Sequence, residues 1–180
     1  MNQPALLIRP STAVDLPRMT AIYSHHVLYG TGTFELEPPS EQEMARRRDD
    51  VLSKGLPWLV AEQAGSVVGF AYANPFRTRP AYRFCLEDSI YLDTGALGQG
   101  VGRALLAELL AQCEALGARQ MLAVIGDSEN LASIGVHRAL GFEHTGLIKA
   151  SGWKFGRWLD VVLMQRPLGL GDNAAPHDSP

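Results

Sequence analysis

The sequence predicts one mixed α/β domain, a twisted central sheet of six to seven strands flanked by about four helices. Three observations lead there. Strand-length apolar runs and segments of helical periodicity follow the order β-α-α-β-β-β-α-β-α-β-β. The 180 residues are 46% hydrophobic, enough for one sizeable core. An antiparallel beginning followed by helical crossovers departs from the regular βαβ alternation of a doubly wound nucleotide fold.

Each element has its own signal. "LLIRP" (6–10) is a short strand stopped by Pro10. Leu16, Met19, Ile22, Tyr23 and Val27 form an apolar stripe at helical spacing. Ser40-Glu41-Gln42-Glu43 has capping-box form and opens a charged helix reaching about Lys54. "PWLVAEQ" and "SVVGFAYAN" are strands joined at Ala64-Gly65. "YRFCLEDSIYL" (82–92) reads as a longer strand. A helix from about Gly100 carries Val101, Leu105, Leu109, Cys113 and Leu116 on one side, and Gly117 stops it. "QMLAVIG" suits a strand buried on both faces. "NLASIGVHRAL" is a short helix ended by Gly141, and "EHTGLIK" and "WLDVVLMQ" are the last strands. The domain is placed at 1–167, with a flexible tail over 168–180.

Composition narrows the function. A net charge of −3 gives no global basic field for nucleic acid. No apolar run nears the roughly 20 residues that cross a bilayer, and the N-terminus lacks signal-peptide character. Cys85 and Cys113 lie in apolar runs without zinc spacing, as buried reduced thiols of a cytoplasmic protein, and no metal is expected.

Chemistry concentrates at "YLDTGALGQGVGRALL" (91–106). Gly98-Gln99-Gly100-Val101-Gly102 has neither the dinucleotide spacing nor the Lys-Ser/Thr of a phosphate loop. Backbone N–H groups at a helix mouth beside Arg103 nevertheless favour a phosphate or pyrophosphate. In the preceding strand, alternation places Arg83, Cys85, Glu87, Ser89 and Tyr91 on one face. Phe84, Leu86, Ile90 and Leu92 take the other face, which Asp88 interrupts; a bulge would spoil this parity. The polar face resembles a site wall, with Glu87 as a candidate base or a carboxylate satisfied by an arginine. Arg77 and Arg79, flanking Thr78 between prolines, suit a clamp for a planar anion, or are solvated loop charges. Asn130 suits a helix N-cap, and His25 and His26 read as solvent-facing.

The glycine loop and "ENLASIGVHRALGFE" together resemble the GCN5-related N-acetyltransferase (GNAT) superfamily. Leu97 stands where that superfamily usually has Gln or Arg. Adding "TGTFELEPPS", "PWLVAEQAGSVVGFAYANPFRTRPAY", "LEDSIYL" and "GWKFGRWLDVVLMQ", the chain resembles the phosphinothricin and methionine sulfoximine acetyltransferases from about Leu7 to about Pro167.

The resemblance implies a GNAT fold and a homodimer. It implies acetyl transfer from acetyl-CoA to the α-amine of a small amino-acid analogue, serving detoxification or herbicide resistance. Glu87 would be the base, with His137 and Tyr91 as further catalytic residues. Acetyl-CoA would be held by Ile90, Leu92, Leu97, Gly98, Gln99, Gly100, Val101, Gly102, Arg103, Asn130 and Ser133. Phe34, Arg77, Arg79 and Glu87 would hold the acceptor, Arg79 with more support than Arg77. Trp153, Lys154 and Trp158 resemble an element packed near the site, without assigned roles. Two other readings stay open: a protein or peptide N-acetyltransferase, and a non-catalytic acyl-CoA sensor.

Overall fold

A computed structural model describes residues 5–176; residues 1–4 and 177–180, the outermost parts of the expected domain and tail, lie outside the described residues. The elements are β1 (Leu6–Pro10), α1 (Leu16–Tyr29), α2 (Glu41–Ser53), β2 (Trp58–Gln63), β3 (Ser66–Pro75), β4 (Cys85–Leu92), α3 (Val101–Ala115), β5 (Gln120–Gly126), α4 (Leu131–Ala139), β6 (Glu143–Lys154) and β7 (Arg157–Pro167). They form one seven-stranded sheet in the order β1-β2-β3-β4-β5-β7-β6. β4 and β5 run parallel, and the other neighbours are antiparallel. The expected order of elements is the observed one.

The two sheet faces carry separate cores. Met19, Ile22, Tyr23 and Val27 of α1 and Met44 and Val51 of α2 bury Trp58, Val60 and Phe70 on one face. On the other, Leu105, Leu106, Leu109 and Cys113 of α3 pack on Leu59, Ala71, Leu86 and Met121. Local chemistry sets the ends of the elements. Ser40 Oγ accepts the Glu43 N–H at 3.1 Å and starts α2. Ala64 and Gly65, at φ 51° and 76°, make the two-residue hairpin between β2 and β3.

Several boundaries depart from expectation. β4 begins three residues late, because Pro80–Tyr82 form a 3-10 turn. Leu116 does not join the buried stripe of α3; it follows the last helical turn and is exposed. β5 is not covered on both faces, since Val124 is 37% exposed. β6 runs on to Lys154 through an irregularity between Ile148 and Gly152, with Ala150 at φ 49°. The packed chain does not end at 167: Leu168 is 1% exposed in the α3-side core, and Arg119 donates to the Ala175 carbonyl at 3.1 Å. Cys113 is buried and Cys85 half-buried, both free.

Candidate active site

The site forms where β4 and β5 part. Their parallel ladder runs from Cys85–Gln120 to Asp88–Ala123 and stops, although β4 continues to Leu92 and β5 to Gly126. A cleft therefore opens beside Ser89–Leu92, with the glycine loop at its far end. The β3–β4 register is unbroken from Gly69–Leu92 to Pro75–Leu86, so no bulge disturbs the parity of β4. Tyr91 packs on the α1/α2 side, whereas Leu86, Ile90 and Leu92 pack on the α3 side.

The four glycines at the mouth of α3 do three jobs. Gly95 donates its N–H to Asp93 Oδ1 at 2.9 Å in a tight turn. Gly98 and Gly100 have φ of 72° and 80°, and a Cβ on either would point into open space. Gly102 is buried, and a Cβ there would stand 3.1 Å from Leu92 Cδ1 and 3.8 Å from Ile90 Cδ1, so it lets α3 approach β4. The Ala104 N–H bonds the Gly100 carbonyl at 3.1 Å, which leaves the amides before it as the unpaired donors of the helix mouth. Leu97 is 52% exposed, Arg103 is exposed, and the Gln99 amide donates to the Gly95 carbonyl at 2.6 Å. This loop offers backbone N–H groups rather than side chains to an anion, and the pyrophosphate of acetyl-CoA fits that chemistry. At the other edge of the cleft, Asn130 caps α4, accepting the Ser133 N–H at 3.2 Å.

The acceptor side is richer in polar groups than the sequence suggested. Glu87 is half-buried on the α1/α2 face. Burial and then the neighbouring Asp88 raise the pKa of its carboxyl, while Arg77 pulls it down. Arg77, not Arg79, is thus the loop arginine whose charge reaches Glu87; both are exposed, and Arg77 lies 4.8 Å over the Phe76 ring. Tyr72 lies opposite Ser89 and Tyr91 opposite Phe70. Burial raises the phenol pKa of both tyrosines, Tyr91 well above its ordinary value, and keeps their hydroxyls protonated. Tyr91 meets Tyr23 edge-on at 4.8 Å.

Residues 31–35 cross the sheet at this point as a strap. Tyr23 Oη lies 3.0 Å from Thr33 Oγ1 and donates to Glu35 at 2.8 Å, and Arg47 holds Glu35 from α2 at 2.7 Å. Buried Lys154 donates to the Thr33 carbonyl at 2.8 Å. Its pKa is lowered by burial, which Glu35 opposes. Phe34 lies in a hollow made by two glycines: a Cβ on Gly152 would stand 2.3 Å from its ring, and one on Gly126 3.0 Å. Lys154 therefore lies inside, near the site, while Trp153 and Trp158 pair at 5.2 Å on the surface. His26 is not solvent-facing; its Nε2–H donates to the Leu92 carbonyl at 2.8 Å and ties α1 to the end of β4.

His137 is 2% exposed and on the opposite side of β4 from Glu87. Its Nε2 is 2.9 Å from Asp88 Oδ2, and its Nδ1 is 2.7 Å from the Ser133 carbonyl. Sequence reasoning noted Asp88 only as a break in an apolar face, and that break was the available signal. Nothing in the sequence pointed to Tyr23, Glu35, Arg47 or Tyr72 as parts of the site.

An amide-lined loop at the mouth of α3, a splayed β4–β5 pair and a carboxylate on the polar face of β4 define an acyltransferase that uses acetyl-CoA. Residues 19–142 match the acetyltransferase (GNAT) family, and the chain belongs to it. It is an acetyl-CoA-dependent N-acetyltransferase. It is 56% identical to phosphinothricin N-acetyltransferase of Alcaligenes faecalis over 162 residues, which cover 90% of this chain and 82% of that one. It is 34% identical to L-methionine sulfoximine/L-methionine sulfone acetyltransferase of Salmonella typhimurium over 171 residues, covering 95% and 98%. Among solved structures, a phosphinothricin acetyltransferase from Sinorhizobium meliloti in complex with AcCoA superposes with a TM-score of 0.93 at 51% identity, covering 97% of this chain and 94% of that one.

Proposed function

We propose that the enzyme transfers acetyl from acetyl-CoA directly to the α-amine of a small amino-acid analogue of the phosphinothricin or methionine sulfoximine class. The observation that carries this reading is Glu87: a half-buried carboxylate of raised pKa, among tyrosines and within the field of an exposed arginine loop. An acceptor amine must lose a proton before it attacks a thioester, and a carboxylate with raised pKa is a better base for it. Tyr91, kept protonated by burial, is a hydrogen-bond donor beside Glu87's face of β4. Arg77 and Arg79 supply cationic anchors for a carboxylate or a tetrahedral anionic group, with Phe34 closing the pocket. Burial, then Glu87, raises the pKa of the Cys85 thiol, which disfavours a covalent cysteine route.

On the donor side, the amides of Gly98–Arg103 receive the pyrophosphate, and Ile90, Leu92, Asn130 and Ser133 line the arm. Two finer assignments belong to the same reading. The enzyme acts in the cytoplasm as a detoxifying or herbicide-resistance activity. It is a homodimer, for which Leu147, Ile148 and Trp153 on β6, Phe155 in the β6–β7 turn and Trp158 at the start of β7 offer an exposed apolar surface.

The test is release of CoA thiol from acetyl-CoA with phosphinothricin, methionine sulfoximine, methionine sulfone, ordinary amino acids and a peptide amine. Rapid release with the tetrahedral analogues supports the reading. Release with the peptide alone replaces it with a protein acetyltransferase, and acetyl-CoA binding without release from any amine replaces it with a sensor.

A further inference from the structure

β5 ends at Gly126, and the chain turns into α4 within a few residues. Asp127 makes that turn at φ 71°, a left-handed conformation uncommon outside glycine. Glycine would meet the turn at no steric cost. The chain places there an aspartate that is 3% exposed. A carboxylate so buried has to be held by partners.

The polar groups of Asp127 reach β7, α4 and the strap. Its N–H donates to the Asp160 carbonyl of β7 at 2.8 Å, and its carbonyl accepts the N–H of Asn130, the cap of α4, at 3.1 Å. Oδ1 accepts the Glu129 N–H at 3.1 Å, and Oδ2 accepts from the Arg157 guanidinium of β7 at 2.6 Å. The Thr31 side chain, at the start of the strap, hydrogen-bonds the same carboxylate. Burial opposes the charge on Asp127; the Glu129 N–H, Thr31 and Arg157 outweigh it and hold its pKa below the ordinary carboxylate value. The strap lies directly on this joint. A Cβ on Gly126 would stand 2.4 Å from the Thr31 carbonyl oxygen, and one on Gly32 3.5 Å from the Asn130 amide nitrogen. The β6 irregularity is tied to the joint as well. Asp160 accepts the Ala150 N–H at 2.9 Å with one carboxylate oxygen and the Ser128 hydroxyl at 3.2 Å with the other.

We propose that Asp127 is a positioning residue for acetyl transfer, fixing the start of the strap to the first turn of α4. It thereby sets the separation between the segment that carries Phe34 and the helix end that carries Asn130 and Ser133. The roles of those three residues toward acceptor and acetyl-CoA rest on the function proposed above; the joint does not. In that reading the amine and the thioester are held by opposite sides of one turn, and a misplacement of about 1 Å costs on the order of 100-fold in rate. The left-handed backbone supplies the turn, and the carboxylate makes it a link between two substrate sites.

The test is Asp127→Gly, which keeps the left-handed backbone and removes only the carboxylate, beside Asp127→Asn, which keeps an accepting oxygen for Glu129 and Thr31. Hydrogen–deuterium exchange on the full chain without substrates reads the joint. In Asp127→Gly the amides of 31–35 and 128–133 are expected to exchange together about tenfold faster, while β2 and β3 keep their protection. Asp127→Asn should recover most of it. Faster exchange in only one of the two segments, or across the whole sheet, overturns the positioning role. In turnover with phosphinothricin, Asp127→Gly is expected to raise the KM of both substrates and to lower kcat about 100-fold, with Asp127→Asn in between. Wild-type constants in Asp127→Gly overturn the catalytic consequence. Should Asp127→Gly fail to fold, Thr31→Val removes the strap's bond alone, and unchanged exchange over 31–35 in that variant overturns the proposal. Absence of acetyl transfer to any amine by wild type refutes the proposed function instead, and the exchange result stands or falls apart from it.

Discussion

The glycine loop at 94–102 and the strap at 31–35 border the same cleft but are built by opposite means. The loop works through its main chain: Gly98 and Gly100 point no atom at anything, and Leu97 and Arg103 face solvent. The strap works through side chains from four elements. Tyr23 of α1, Arg47 of α2 and Lys154 of β6 hold Thr33 and Glu35, while Gly126 at the end of β5 and Gly152 of β6 leave room for Phe34. In the function proposed above, the loop holds the pyrophosphate of acetyl-CoA and the strap shapes the space for the acceptor. Backbone recognition depends on one local conformation, whereas the strap depends on many distant partners at once.

If that division holds, variants should separate by substrate. The largest effect is expected between the two regions, at Glu87. Glu87→Gln should lose about 100- to 10,000-fold in kcat while binding acetyl-CoA normally, read by steady-state kinetics and calorimetry. Full activity would remove Glu87 as base. Next is the strap's hollow. Gly152→Ala places a methyl 2.3 Å from the Phe34 ring, an overpacking of about 1–3 kcal/mol. The acceptor KM should rise and the melting temperature fall, with the acetyl-CoA KM unchanged. The loop should give the mirror image. Gly100→Ala, at φ 80°, costs about 1–2 kcal/mol of backbone strain, so the acetyl-CoA KM should rise roughly tenfold and the acceptor KM should hold. Equal effects on both substrates in either variant would break the comparison.

A smaller effect is expected from Arg77→Ala. Arg77 draws the Glu87 pKa down against burial, so its removal raises that pKa. As the proposed base, Glu87 works as the carboxylate, which is lost as pH falls through the raised pKa. The acid limb of kcat/KM should therefore move to higher pH in Arg77→Ala and stay in place in Arg79→Ala. The reverse result would make Arg79 the arginine whose charge reaches Glu87.

The same contrast explains what the sequence revealed. Elements and their order were legible because their signals are local: the Ser40 cap, the Ala64-Gly65 turn, the stripe on α1. The parity of β4 was legible because an unbroken register preserves it. The late start of β4 was missed because Pro80 winds a turn into what reads as strand. The partial exposure of Val124 was missed because the parting of β4 and β5 is a property of two strands. Asp88 was visible as an exception, but its partner sits 49 positions away on α4. Lys154 bonds a carbonyl 121 positions away. No spacing rule spans such distances, and a buried lysine on a strand end looks like a surface one until the chain is folded.

The strap's anchorage also bears on how the enzyme could be bred for another substrate. Phe34 is aimed by groups that need not touch the acceptor at all. A laboratory selection for a bulkier amine is therefore expected to gather its first changes at Arg47, Lys154 and Gly152 as well as in the pocket wall. The acetyl-CoA loop, which presents main-chain amides and leaves its Leu97 side chain in solvent, would pass through such a selection untouched.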